Sequence, residues 1–150
     1  SARGAVAVTD IVLIDIVLPA SDVVVPDEQH SITQRGKLSS KAMTKTRKNE
    51  IYQDYVCGAA LRACREAFAA LPVGWACATV RTKVLNQATG HIDDAPVLSV
   101  MAPRRTAEQL KYESLDPSEA MTNFLHRMGF KKTTGMSAIV ALTVEDVPGA

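Results

Sequence analysis

Aromatic residues make up only 5% of this 150-residue chain, one Trp, three Tyr and three Phe, so few rings exist to anchor a partner or stack on unpaired bases. The histidines His30, His91 and His126 and the three cysteines show none of the close ligand pairs that a structural zinc requires. Among the eight glycines there is neither GxxxxGKS/T nor GxGxxG, which sets aside the two common phosphate-cradling loops. No GxSxG elbow exposes a serine nucleophile. No metal or other cofactor is expected.

Excess charge of one sign is also missing. The formal net charge is +1 and the pI about 7.7, so the chain as a whole is no electrostatic probe for nucleic acid or membrane. Any basic footprint must be local. The longest apolar run, Ile11 to Pro19, is interrupted by Asp15 and falls far short of the roughly 20 residues of a membrane helix, so no membrane insertion is expected. Cys57 and Cys64 fall on one predicted helix, where a rise of about 1.5 Å per residue holds their Cα atoms roughly 10 Å apart, beyond disulfide reach. Thiols packed as small hydrophobes in a reducing, cytoplasmic setting are the simpler reading.

What is present suits a core. Hydrophobic content of 47% and charge content of 22% are ordinary for a globular chain, and a chain of this length fits one domain over 1–150. "AVAVTDIVLIDIVLP" is rich in β-branched residues and reads as one strand or two short ones, with Asp10 and Asp15 on an exposed face or edge. Residues 28–49 turn polar, and "SITQRGKLSSKAMTKTRK" holds Arg35, Lys37, Lys41, Lys45, Arg47 and Lys48 without an acid, reading as a loop or linker entering a helix.

"NEIYQDYVCGAALRACREAFAALP" is the strongest helix. Tyr52, Tyr55, Val56, Ala59, Ala60, Ala63, Ala67 and Leu71 recur at helical steps and predict an alanine-rich stripe packed closely on a sheet, with Gly58 marking a close contact or a bend. "WACATVRTKVL" alternates, sending Ala76, Ala78, Val80, Thr82 and Val84 one way and Trp75, Cys77, Thr79, Arg81 and Lys83 the other. The turn signal "NQATGH" then predicts an antiparallel hairpin with "APVLSVMAP".

"RTAEQLKY" reads as a short helix and "MSAIVALTV" as a final strand. Between them, Asp116 as N-cap, Pro117 at the first helical position and Gly129 as a C-terminal cap predict a helix over 117–128 with Ala120, Met121, Phe124, Leu125 and Met128 buried. His126 and Arg127 would then lie in its last turn, with Lys131 and Lys132 just beyond, complementing the helix dipole and available to an anion.

Three functional classes remain. A non-enzymatic interaction or assembly module would use Trp75, the single Trp, with Arg81 and Lys83 on the same strand face against a protein partner or the rest of a parent polypeptide. A nucleic-acid-binding domain would use Lys45, Arg47 and Lys48 of the basic run and the cluster His126, Arg127, Lys131 and Lys132. A metal-dependent hydrolase or nuclease would need His91, Asp93 and Asp94, the one His and carboxylate cluster, though "PVLSVMAP" puts Ser99 and Met101 where an acid and a Lys belong. Absence of catalytic signatures favours the first.

At "EIYQDYVCGAALRACREAFAALPVGWACATV", "ATGHIDDAPVLSVMAPR" and "LDPSEAMTNFLHRMGFKKTTG" the chain resembles the C-terminal region of a group of uncharacterised bacterial proteins that carry a small N-terminal domain of unknown function. The resemblance spans roughly residues 50 to 142 and implies a part of a larger bacterial polypeptide, in keeping with a first residue that is Ser1 rather than Met. It implies no activity or cofactor. The expected architecture is α+β, a mostly antiparallel sheet of four to five strands packed against one long Ala-rich helix and one shorter capped helix.

Overall fold

A computed structural model describes residues 10–148, so the predicted strand start at residues 5–9 lies outside the described residues. The fold is α+β. Strand β1 (Ile11–Val17) leads through a short helix α1 (Ser21–Val24), a hairpin β2 (Glu28–Ile32) and β3 (Leu38–Ala42), and the long helix α2 (Lys45–Ala70). Strands β4 (Trp75–Leu85) and β5 (Ile92–Pro103), helices α3 (Arg104–Gln109) and α4 (Pro117–Ala120), and strands β6 (Leu125–Met128), β7 (Phe130–Lys131) and β8 (Gly135–Met136) follow.

The main sheet has the order β1-β4-β5-β6, with β1 parallel to β4 and the other two pairs antiparallel. The β4–β5 hairpin forms as the alternation requires, its turn closed by amides of Gly90 and Thr89 on the Asn86 carbonyl. Ala76, Ala78 and Val80 face α2, and with Val100, Leu98 and Ala102 of β5 they form the main core. Helix α2 seats Tyr52, Val56, Cys57, Ala60, Leu61, Cys64 and Phe68 on this layer.

That buried stripe is rotated from the expected one. Leu61, Phe68 and the two thiols bury more apolar area than alanines do, so the sheet takes them, while Ala59, Ala63 and Ala67 stay half-buried and Tyr55 and Leu71 are exposed. Gly58 makes no unusually close contact. A Cβ there would meet Pro117 Cγ at 3.9 Å, ordinary van der Waals distance.

Three further expectations are corrected. The polar stretch 28–49 is no linker but a two-stranded ribbon followed by the first turn of α2, which Thr44 caps by accepting from the Arg47 amide at 3.2 Å. The helix expected over 117–128 ends with the 3-10 turn Met121–Asn123. Asp116 does cap its start, accepting from the Ser118 and Glu119 amides, but the side chains of Thr122 and Asn123 bond the Glu119 and Ala120 carbonyls and turn the chain into extended geometry at Phe124. Residues 125–128 then complete the sheet edge beside β5, so Leu125 is 44% exposed. Gly129 is a close crossing rather than a helix cap, since a Cβ there would lie 2.2 Å from the Ser137 carbonyl oxygen.

The strand expected over 136–144 is paired only at its start, in β8. The rest runs as a strap over the sheet face away from α2, its amides served singly, Ser137 by Gly129 O, Ile139 by Pro96 O and Leu142 by Ser99 Oγ. Cys77, Met101, Leu142 and Val147 close beneath it into a second small core, with Ile11 and Trp75 packed alongside. Both faces of the central strands are thereby covered.

Candidate functional site

The catalytic candidates do not converge. Asp93 and Asp94 are successive residues of β5 and point to opposite sheet faces, opposite Val84 and Lys83. His91 is exposed in the turn, its amide donating to Thr89 Oγ1 at 3.2 Å, and the Asp93 carboxylate accepts from Asn86 Nδ2 at 3.4 Å. Among the described residues no group of three or more His, Cys, Asp or Glu side chains is placed to hold a metal ion.

Trp75 is half-buried and packs on the second core, so its ring is engaged inside the chain. Arg81 reaches toward Asp15 of β1 at 3.8 Å, and Lys83 stands in the wet end of β4 beside a hollow of about 180 Å³ lined by Asn49, Tyr52, Thr82 and Thr134. In that hollow the Tyr52 hydroxyl donates to the Pro19 carbonyl at 2.5 Å and lies 2.8 Å from Thr82 Oγ1. Burial pushes the Tyr52 phenol above its usual range, with the Thr82 bond opposing, so it stays protonated and ties the segment between β1 and α1 to α2 and β4.

His126 and Arg127 lie on β6 rather than at a helix end. Arg127 donates to the Val140 carbonyl at 3.1 Å and stands 3.9 Å from Asp146, holding the strap, while His126 Nδ1 is 3.0 Å from the Phe124 carbonyl. Lys131 and Lys132 sit at the β7–β8 turn. That turn is drawn to the N-terminal half of α2 by Asn49 Nδ2, which donates to the Lys132 carbonyl at 2.8 Å, so these lysines and Lys45, Arg47 and Lys48 share one end of the molecule.

A cleft of about 330 Å³ between α2 and α3 is lined by Arg65, Phe68, Ala107, Glu108, Tyr112 and Glu113, and most of its polar groups are engaged within the chain. The Arg65 guanidinium lies 4.6 Å over the Tyr112 ring, the Tyr112 hydroxyl donates to Ala107 O at 2.7 Å, and Glu108 pairs with Arg104 at 3.0 Å. Arg104 in turn caps the C-terminal end of α2 by donating to the Phe68, Leu71 and Val73 carbonyls.

Among the described residues the main sheet has two open edges, the four-residue β6 and the longer, more apolar β1. Among the described residues β1 pairs on one side only, over an unbroken seven-residue register with β4. Leu13 is 58% and Val17 70% exposed on one face, while Val12, Ile14 and Ile16 on the other are packed only partly against the core. Beside this edge a groove of about 480 Å³ runs along α2, floored by Gly58, Ala59 and Ala63 and flanked by Ile16, Leu18 and Tyr55. Its rim carries Asp54, Arg62 and Glu66. Burial, reinforced by Asp116, pushes the Asp54 carboxyl above the usual carboxylate range. Sequence reasoning assigned the alanine stripe to the intramolecular core and so missed this groove; the alternation of Leu13, Asp15 and Val17 was the signal available.

Set beside protein families, curated proteins and solved structures, the chain matches none of them. No helix among the described residues is long and apolar enough to cross a membrane.

Proposed function

We propose that the chain is an assembly module of a larger bacterial polypeptide, and that a second copy joins it strand to strand along β1. The observation that carries this reading is the largely apolar, seven-residue outer edge of β1, unpaired among the described residues and bordered by the groove along α2. Edges of this kind are ordinarily blunted by prolines, bulges or inward charges, because unpaired backbone groups template association. β1 has one charge, Asp15, directed to the outer face and faced by Arg81.

An antiparallel pairing about a two-fold axis through Ile14 uses all seven residues. Val12 then opposes Ile16 of the second copy and Ile14 opposes itself, β-branched pairs that favour sheet contact. Leu13 opposes Asp15 of the second copy, whereas a centre at Asp15 would set two carboxylates face to face. The helix-side residues of the added strand would enter the alanine groove, and a rim bearing both Arg62 and Asp54 is complementary to itself under two-fold rotation. Three buried, unpaired thiols fit the reducing cytoplasm as its setting.

The test is a charge swap read by sedimentation equilibrium. Wild type should dimerise; Leu13→Asp, which sets one like charge opposite each Asp15 and so makes two like-charge pairs per dimer, should weaken association by roughly tenfold or more, and Leu13→Lys should retain it. A wild type monomeric at high concentration, or a dimer indifferent to Leu13→Asp, overturns the reading.

A further inference from the structure

The β2–β3 ribbon stands apart from both cores, every residue of its strands exposed except a half-buried Ser39. A two-stranded hairpin on its own is marginal in water, so its persistence without a packed face needs a reason. Among the described residues it is fastened at the base, where the Met43 amide donates to Asp27 O at 2.8 Å and Lys48 Nζ meets Asp27 at 2.5 Å. Ser40 Oγ adds bonds to Glu28 and His30 across the strands. At the tip Gly36 takes φ 78°, a left-handed value that glycine accepts without strain, and closes the turn on the Thr33 carbonyl.

The ribbon carries Arg35, Lys37 and Lys41, with Glu28 at its base as the acid on its strands, and Lys45, Arg47 and Lys48 follow in the first turn of α2, a run of six basic residues with no acid between them in a chain whose net charge is only +1. Of the six, Lys48 alone lies within ion-pair distance of an acid among the described residues. Ile32 and Leu38 pair across the ribbon just below the basic tip, and both are about three-quarters exposed, at 76% and 74%. Basic, narrow and apolar near its end, the arm has no Phe, Tyr or Trp to stack on unpaired bases, and its one imidazole, His30, is tied to Ser40 Oγ at 2.7 Å.

We propose that the ribbon is a binding element for duplex DNA, laid in the major groove with its basic residues on the flanking phosphates. B-form DNA has a major groove about 12 Å wide that admits a two-stranded ribbon, and its thymine methyls offer apolar contact to Ile32 and Leu38. A-form RNA presents a deep, narrow major groove closed to side chains, and single strands require stacking surfaces that the arm lacks. The ligand class is therefore double-stranded DNA, contacted mainly through its backbone. This surface is independent of the β1 edge.

The experiment is fluorescence anisotropy with a labelled mixed-sequence DNA duplex of about 20 base pairs, titrated between about 50 and about 200 mM salt. The expected result is micromolar binding at low salt with a log–log salt slope of about −3 to −5, matching the basic residues that lack an acid partner. Arg35→Ala with Lys37→Ala, at an exposed tip where neither side chain makes a hydrogen bond or ion pair among the described residues, should lower the magnitude of that slope by about two, while Arg35→Lys with Lys37→Arg should keep it. Ile32→Ser with Leu38→Ser should weaken binding without changing the slope. No binding at low salt, a slope unmoved by the tip alanines, or equal affinity for an RNA duplex or single-stranded DNA of the same sequence overturns the assignment.

Discussion

Ser99 holds the strap to the sheet, and replacing it by alanine should loosen one face of the molecule. Its hydroxyl is fully buried, 2.9 Å from Thr79 Oγ1, and accepts from the Leu142 amide at 3.0 Å. The Cys77 thiol lies 4.0 Å away. Ser99→Ala leaves both the Thr79 hydroxyl and the Leu142 amide without their partner in a site closed to water. Each unsatisfied buried group costs about 1 to 3 kcal/mol, so a total of about 2 to 6 kcal/mol is expected. With a urea m value of about 2 kcal/mol/M, the unfolding midpoint should fall by about 1 to 3 M. Thr79→Val should cost less, about 1 kcal/mol, because the Leu142 amide keeps its acceptor. Trp75, the chain's single Trp, packs on the core under the strap and reports its release as red-shifted emission in the folded state. A Ser99→Ala midpoint within about 0.25 M of wild type, worth about 0.5 kcal/mol, would refute the view that this hydroxyl seals the strap. So would a larger loss in Thr79→Val than in Ser99→Ala.

Gly58→Ala should stabilise the chain by about 0.5 to 1 kcal/mol in urea unfolding, since its Cβ meets Pro117 at an ordinary 3.9 Å and the helix interior gains propensity; a loss would mean that α4 sits closer to α2 than described. Burial pushes the Cys57 and Cys64 thiols up to about 12. In the unfolded chain they titrate near 8.5, so below that pH their contribution is fully present, and as pH rises toward 12 the unfolded state sheds protons that the folded state keeps. Stability should therefore fall by about 1.4 kcal/mol per pH unit per thiol above pH 9, and the Cys57→Ala, Cys64→Ala double variant should show a flatter profile in reducing buffer. The same thiols should resist iodoacetamide at pH 8 until urea unfolds the chain.

Local chemistry reached as far as local causes extend. The alternation in "WACATVRTKVL", the turn at Asn86 to Gly90, and the Asp116 cap with Pro117 behind it were all legible, because each depends on neighbours in sequence. So was the α+β class, and the end of α2 ahead of Pro72. Which stripe of α2 goes inward was not, since alanines and larger apolar residues share adjacent faces and the sheet chose by area. Residues 121–128 satisfied helical spacing, yet the open edge of β5 recruited Leu125–Met128 as a strand.

The site divides the same way. The sequence by itself determined that the basic residues of 35–48 stand together without acids and that Asp15 interrupts an apolar strand. Only the tertiary structure decided that Arg35, Lys37 and Lys41 ride an exposed ribbon while Lys45, Arg47 and Lys48 start α2, that Trp75 and Arg127 serve the strap, and that β1 lies at an edge of the sheet beside a groove. Charge and periodicity are written residue by residue, but an edge is defined by what does not pair with it. That is a property of strand order, which long-range packing sets.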